Sequence, residues 1–188
     1  MIISFCGNAG AGKTTAAKQL AKDLGWPHYY IGGLRRQKAK ERGLTLEEYN
    51  QLGETDPKTD LEVDEYQREL ATKEDNFIIE GRTSWYFIPT SFKIFMDVNE
   101  EIGAERILKN LQMPNDRNET NKVVNQIKEM QSLNLARKTS DTLRYKQYYN
   151  IDVYDKSNFD YVLDTSDLTP DQSYDLIWEK VQKILTKA

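Results

Sequence analysis

The chain has 188 residues, a net charge of −4 and 38% hydrophobic residues, with a pI near 5.2; this suits one domain with a small insertion and argues against a dedicated nucleic-acid binder, which usually carries a basic stripe. One cysteine, Cys6, and one histidine, His28, make neither an internal disulfide nor a zinc site without several carboxylates. No apolar run reaches the ~18 residues of a membrane span, and the N-terminus lacks the charged-then-apolar pattern of a signal peptide, so a cytoplasmic protein is expected.

The elements follow from apolar spacing. Ile2 to Cys6 reads as a buried strand, and Lys13 to Leu24 as a helix stopped by Gly25 and Pro27. Tyr29 to Ile31 fits a short second strand, and Leu34 to Arg42 a helix closed by Gly43. Thr45 with Glu48 forms a capping-box signature for the next helix. "TDLEVDEYQRELATK" is helical, with Leu61, Tyr66 and Leu70 expected on its apolar face. "NFIIEG" and "SFKIFMDV" read as the third and fourth strands, then Glu100 to Leu111 as a helix. After "PNDRN", about thirty residues up to Tyr149 contain neither Gly nor Pro. "YVLDTS" is a fifth strand, and Pro170 opens the last helix. Apolar strands alternating with helices predict an α/β chain with a parallel sheet covered on both faces. The polar helices between Leu34 and Lys73 read as an insertion, not a separate domain.

The first strand runs into "GNAGAGKTT", which fits G-x-x-x-x-G-K-[ST] in full, with strand before and helix after. Gly7, Asn8, Ala9, Gly10, Ala11, Gly12, Lys13, Thr14 and Thr15 are therefore candidate triphosphate-binding residues. Glycines let backbone N–H groups turn inward, and the helix N-terminus adds partial positive charge. Lys13 would bridge the β- and γ-phosphates of ATP, and Thr14 would ligate Mg2+. The loop says nothing about the acceptor. Glu80 ends the third strand, where a P-loop protein places the carboxylate that holds Mg2+ through water; the alternative is an ordinary polar residue at a strand exit. Arg82 follows at the same sheet edge and could reach a second phosphate.

Arg35 and Arg36 sit at an expected helix start, against the dipole preference, which suggests an anion partner or else a solvated pair. Arg137, Asp141 and Arg144 stand at i, i+4 and i+7 on one helix face. Asp141 can fix both guanidinium groups and leave their outer forks for an anion or a sugar hydroxyl; the alternative is a solvated salt-bridge ladder. Tyr145, Tyr148 and Tyr149 are expected to pack beneath this helix. Cys6 is read as a core residue and His28 as an edge residue, neither with a catalytic role.

"KERGLTLEEY", "DPKTDLEVDEYQRELA", "IIEGR", "AERI", "SDTLRYKQYYNID" and "YVLDTSDLTP", together with the loop, resemble the short cytidylate kinases typical of archaea, within the nucleoside monophosphate kinases. The resemblance covers nearly the whole chain. It implies a P-loop NTPase fold with a five-stranded parallel core in a single domain, an acceptor-binding insertion at about 32–74 and a lid within about 106–144. It implies phosphate transfer from ATP to CMP or dCMP with Mg2+. By resemblance Arg36 and Arg82 are acceptor-phosphate arginines, Arg137, Asp141 and Arg144 the acceptor and lid cluster, and Asp60 and Asp64 acidic positions of the insertion. Lys13, Arg82, Arg137 and Arg144 are then the catalytic set, with Thr14 and Glu80 for the metal. The chain departs from the family at Gly32-Gly33, at Ile31 and at Asn110, positions that bear on base specificity and the lid. The partner expected is a small nucleotide acceptor, with no nucleic acid or membrane, and a monomer or weak dimer. Another small acceptor (AMP, UMP or a shikimate-like metabolite) and a regulatory ATPase are the competing readings.

Overall fold

The computed structural model describes residues 1–111, 124 and 126–186. Five parallel strands form one sheet in the order β2-β3-β1-β4-β5. They are β1 (Ile2–Gly7), β2 (His28–Tyr30), β3 (Phe77–Glu80), β4 (Phe92–Asp97) and β5 (Tyr161–Asp164). Every residue of β1 and β3 is buried, as strands covered on both faces require.

Alternation along the strands divides the core. Ile3 and Phe5 of β1, with Ile78 and Ile94, face α1 (Lys13–Leu24) and α8 (Pro170–Leu185) through Ala17, Leu20, Ile177 and Val181. Ile2, Phe77 and Ile79 face the other way, against Val63 and Leu70 of α4 (Lys58–Lys73) and Ile88. Cys6 and Phe95 pack with Trp85 of α5 (Ser84–Phe87). Burying each large apolar side chain stabilises the fold by about 1.5–3 kcal/mol. None of the described helices is long and apolar enough to cross a membrane.

Between β2 and β3 the chain builds α2 (Ile31–Glu41), α3 (Leu46–Gly53) and α4. The second strand begins and ends one residue earlier than expected, and α2 starts at Ile31 rather than Leu34. Gly32 and Gly33 do not break the helix. The Tyr30 ring lies on them, and a β-carbon would come within 2.8 Å and 2.7 Å of it. The Thr45–Glu48 capping box forms as expected and opens α3. The expected apolar face of α4 is corrected. Leu61 and Tyr66 are 45% and 40% exposed, and the buried face is Thr59, Asp60, Val63, Asp64, Gln67 and Leu70. Polar residues are buried here because they bond one another and α7, which a search for apolar periodicity does not detect.

After β4 come α6 (Glu100–Leu111) and α7 (Ile127–Tyr149), which pack together. Part of the expected lid, residues 112–123 and 125, lies outside the described residues. Tyr145 is buried under α7, while the Tyr148 and Tyr149 hydroxyls donate to Gly53 O and Asp64 Oδ2 at 2.6 and 2.7 Å.

Candidate active site

A cleft of about 1160 Å³ opens at the carboxyl ends of the strands, the place where open α/β sheets bind ligands. One wall is the loop after β1. There the backbone must turn where L side chains do not go. Gly7 has φ 137°, and a β-carbon would sit 2.0 Å from Met96 O; Gly10 has φ 81° and lies equally tight against Gly103. These contacts seat the loop on β4 and α6. Gly12 precedes α1, whose first turn holds no acidic residue of its own, so its N-terminal N–H groups and Lys13 are offered to the cleft.

Lys13 Nζ donates to Asn8 O at 2.6 Å, folded back over the loop. Burial, reinforced by the nearby Arg82 charge, lowers its pKa to about 7. Thr14 Oγ1 donates to Glu80 Oε1 at 2.8 Å. Glu80 is 5% exposed, and its Oε2 is buried without a hydrogen-bond partner; His28 Nε2 stands 3.8 Å from it. Burial lowers the His28 pKa, keeping the ring neutral. No cluster of three or more His, Cys, Asp or Glu among the described residues forms a metal cage. A hydroxyl beside one carboxylate with a spare buried oxygen suits Mg2+, a hard cation that takes few protein ligands and completes its shell with phosphate and water.

A second wall, which meets the loop at Gly7, is basic. Arg36, Arg82, Arg137, Asp64 and Asp141 line the same cleft as Ala9 to Thr15 and Glu80. Arg36 Nη1 donates to Tyr30 Oη at 2.5 Å and Gly32 O at 3.1 Å. Arg82 Nε donates to Asp141 Oδ2 at 3.0 Å, and its Nη1 donates to Gly7 O. Arg144 is wholly buried behind this wall, between Asp141 Oδ1 (2.5 Å from Nη2) and Asp60 Oδ1 (bonded to Nη1). Asp60 also accepts from Arg35 Nη1 at 2.7 Å, and Arg35 Nε donates to Asn50 Oδ1 at 2.8 Å. An alternating chain, Arg82–Asp141–Arg144–Asp60–Arg35, thus joins the phosphate loop to the helices of the insertion. Burial alone would raise the Asp141 pKa; the charges of Arg144, Arg82 and Arg137 overrule it and hold the carboxyl at about 2.

Asp60 and Asp64 are 1% and 2% exposed. Asp64 accepts from Tyr149 Oη, Thr83 Oγ1 and Gln67 Nε2 at 2.7, 2.9 and 3.0 Å, and burial raises its pKa to about 6. In this conformation Asp60, Asp64 and Arg144 are bound within the protein, while Arg36, Arg82 and Arg137 border the open cleft. Asn8 Nδ2 turns to Asp97 Oδ1 at 2.5 Å. Cys6 is a buried free thiol whose Sγ lies 3.6 Å from Arg82 O and Val153 O.

Two participants, Arg106 and Tyr154, are not marked by the sequence, and a third, Arg35, is marked only as half of a basic pair. Arg35 is the internal anchor of the basic pair, with the same sequence signal as Arg36. Arg106 lines the cleft and spends its guanidinium on Thr165 Oγ1 and O, Ser166 O and Leu168 O, at 2.8–3.2 Å. Tyr154 bonds Asp141 from a loop with no periodic signal.

Strand order, loop and paired Thr14–Glu80 define the class: a P-loop nucleotide-binding domain of the kinase type. Residues 6–128 match the family described as an AAA domain. The chain is 38% identical to the cytidylate kinase of Methanocella arvoryzae over 88% of each chain. It is 35% identical to that of Pyrococcus abyssi, covering 100% of this chain and 97% of the relative. A solved shikimate kinase from Bacteroides thetaiotaomicron shares the fold, with a TM-score of 0.63 at 17% identity over 97% and 98% of the two chains. The chain belongs to the cytidylate kinase family of P-loop kinases.

Proposed function

We propose that the protein transfers the γ-phosphoryl group of ATP to CMP or dCMP, giving ADP and the nucleoside diphosphate. The observation that carries this reading is the basic wall of Arg36, Arg82 and Arg137 in the same cleft as the phosphate loop. A triphosphate site alone needs no second set of arginines. Cytidine as the acceptor's base rests on the relatives named cytidylate kinase.

In this mechanism the loop N–H groups and Lys13 hold the triphosphate. Arg36 holds the acceptor phosphate from α2, and Arg82 and Arg137 meet the group in transit. Asp60, Asp64, Asp141 and Arg144 keep that wall in place from behind. An acceptor phosphate oxygen, already anionic, forms the new bond to the γ-phosphorus in line with the departing ADP oxygen, so no general base is required. Thr14 and Glu80 would hold Mg2+, which neutralises charge on the phosphate oxygens when bound. α6 and α7 carry the lid, whose closure excludes water and so suppresses ATP hydrolysis. The protein works as a monomer or weak dimer in the cytoplasm.

The test is ADP formation by the native protein, Arg36→Ala and Arg82→Ala, with and without CMP. The native protein should hydrolyse ATP slowly until CMP is added. Arg36→Ala should raise the KM for CMP by about tenfold or more and leave the KM for ATP within about twofold. ATPase activity indifferent to CMP and to both substitutions would show a nucleotide switch instead.

A further inference from the structure

Arg82 is held on two of its three nitrogens, Nε by Asp141 Oδ2 and Nη1 by Gly7 O. Nη2 is left without a hydrogen-bond partner among the described residues, on a side chain that lines the cleft. Two acceptors on separate elements set the plane of this guanidinium, and a ring against its face adds to that hold. The edge depends on Asp141, and Asp141 Oδ2 has a second donor: the Tyr154 hydroxyl, at 3.0 Å. The face depends on Tyr154 as well, since its ring centroid lies 5.3 Å from Arg82 Cζ.

Tyr154 is itself pinned. Its backbone N–H donates to Asp152 Oδ1 at 2.9 Å. The preceding residue, Val153, is fully buried, and its carbonyl faces Cys6 Sγ at 3.6 Å. Lys138 Nζ stands over the same ring at 5.3 Å. Burial raises the tyrosine pKa well above its ordinary value, so the hydroxyl remains a donor at every working pH. A tyrosine with only a packing role needs neither its hydroxyl on a carboxylate already shared with two arginines nor its ring against one of them.

We propose that Tyr154 is a positioning residue for Arg82: through Asp141 Oδ2 and through its ring face, it fixes which edge of the guanidinium is offered to the phosphate in transit. The inference rests on the reading of Arg82 as the residue that meets this phosphate. Tyr154 does not line the cleft. It acts by holding one orientation of Arg82, so its effect falls on kcat, where that orientation is used, and not on ATP binding by the loop.

The experiment is a double-mutant cycle on the full chain, with Tyr154→Phe, Tyr154→Leu, Arg82→Lys and the two double variants, read as kcat and KM for ATP and CMP. Tyr154→Phe keeps the ring and removes the donor. It should lower kcat by about five- to tenfold, as for the loss of a typical hydrogen bond, with the KM for ATP within about twofold. Tyr154→Leu removes both contacts and should lower kcat by about a hundredfold. In the Arg82→Lys background, where no fork remains to be aimed, Tyr154→Phe should change kcat by less than about twofold. Native kcat in Tyr154→Phe, or an equal loss in both backgrounds, overturns the proposal and leaves the role of Arg82 intact. Native kcat in Arg82→Lys removes the reading of Arg82 and the proposal with it.

Discussion

Lys13 carries the clearest prediction at the scale of a single residue. Burial first, and the charge of Arg82 second, lower its pKa to about 7. At pH 8 the empty protein therefore holds this side chain mostly neutral, and the triphosphate restores the charge. ATP binding at pH 8 should take up close to one proton. Calorimetry in two buffers of different ionisation enthalpy measures that uptake, and Lys13→Met should abolish it. Equal heats in the two buffers for the native protein would contradict the assignment. The same residue should matter to turnover, with Lys13→Ala lowering kcat by about 10² to 10³ or more.

The loop and Lys13 were legible because the motif is local: glycines, lysine and threonine are fixed by consecutive backbone turns. Asp141 was legible as a partner for guanidinium groups, because Arg144 lies one helical turn away. That it also holds Arg82, 59 residues distant, depends on how α7 meets the end of β3, which no spacing encodes. Asp60 and Asp64 illustrate the same limit. The family resemblance marked them as acidic positions of the insertion, but only packing turns them inward onto Arg35, Arg144 and Tyr149.

At the scale of elements, α4 separates propensity from burial. The helix was legible from its composition, and its face was not, because its inward side is half polar. Leu70→Ala should destabilise the fold by about 2–5 kcal/mol, and Leu61→Ala by less than about 0.5 kcal/mol, measured by chemical denaturation. Equal losses would contradict the assigned face. The phosphate loop is a second case. Gly10 has a positive φ, and a β-carbon there would stand 2.2 Å from the Gly103 carbonyl oxygen, which is backbone and cannot swing away. Gly10→Ala should shift the loop off α6 and weaken ATP binding by more than about tenfold, with acceptor binding less affected. An unchanged KM for ATP would count against the loop geometry.

For the whole molecule, two buried carboxylates set opposite trends in acid. Asp141, held at about 2, contributes stability that is complete above its unfolded value of 3.8 and is lost as the pH falls toward 2. Asp64, raised to about 6, penalises the fold above pH 6, and the penalty disappears as the pH falls toward 4. Each shift of about two units corresponds to roughly 2–3 kcal/mol. From these two groups, stability should rise by roughly 2–3 kcal/mol between pH 6 and 4 and fall by a similar amount between pH 4 and 2. Asp64→Asn should flatten the upper limb and leave the lower one, as followed by urea denaturation across this range.

The fold at this scale was the most legible part of the chain, since five apolar strands alternating with helices leave few arrangements open. The strand order β2-β3-β1-β4-β5 then brings the loop after β1, Glu80 at the end of β3 with Arg82 beyond it, and the helices beyond β2 to one edge. That edge is where the central claim stands: two phosphates, one donated and one accepting, face each other in a single cleft. Steady-state kinetics with ATP against CMP, dCMP, UMP and AMP tests it most directly. The account predicts that ADP formation depends on the monophosphate and that CMP or dCMP is preferred by a large factor in kcat/KM. ADP formation at one rate with or without any monophosphate would contradict it.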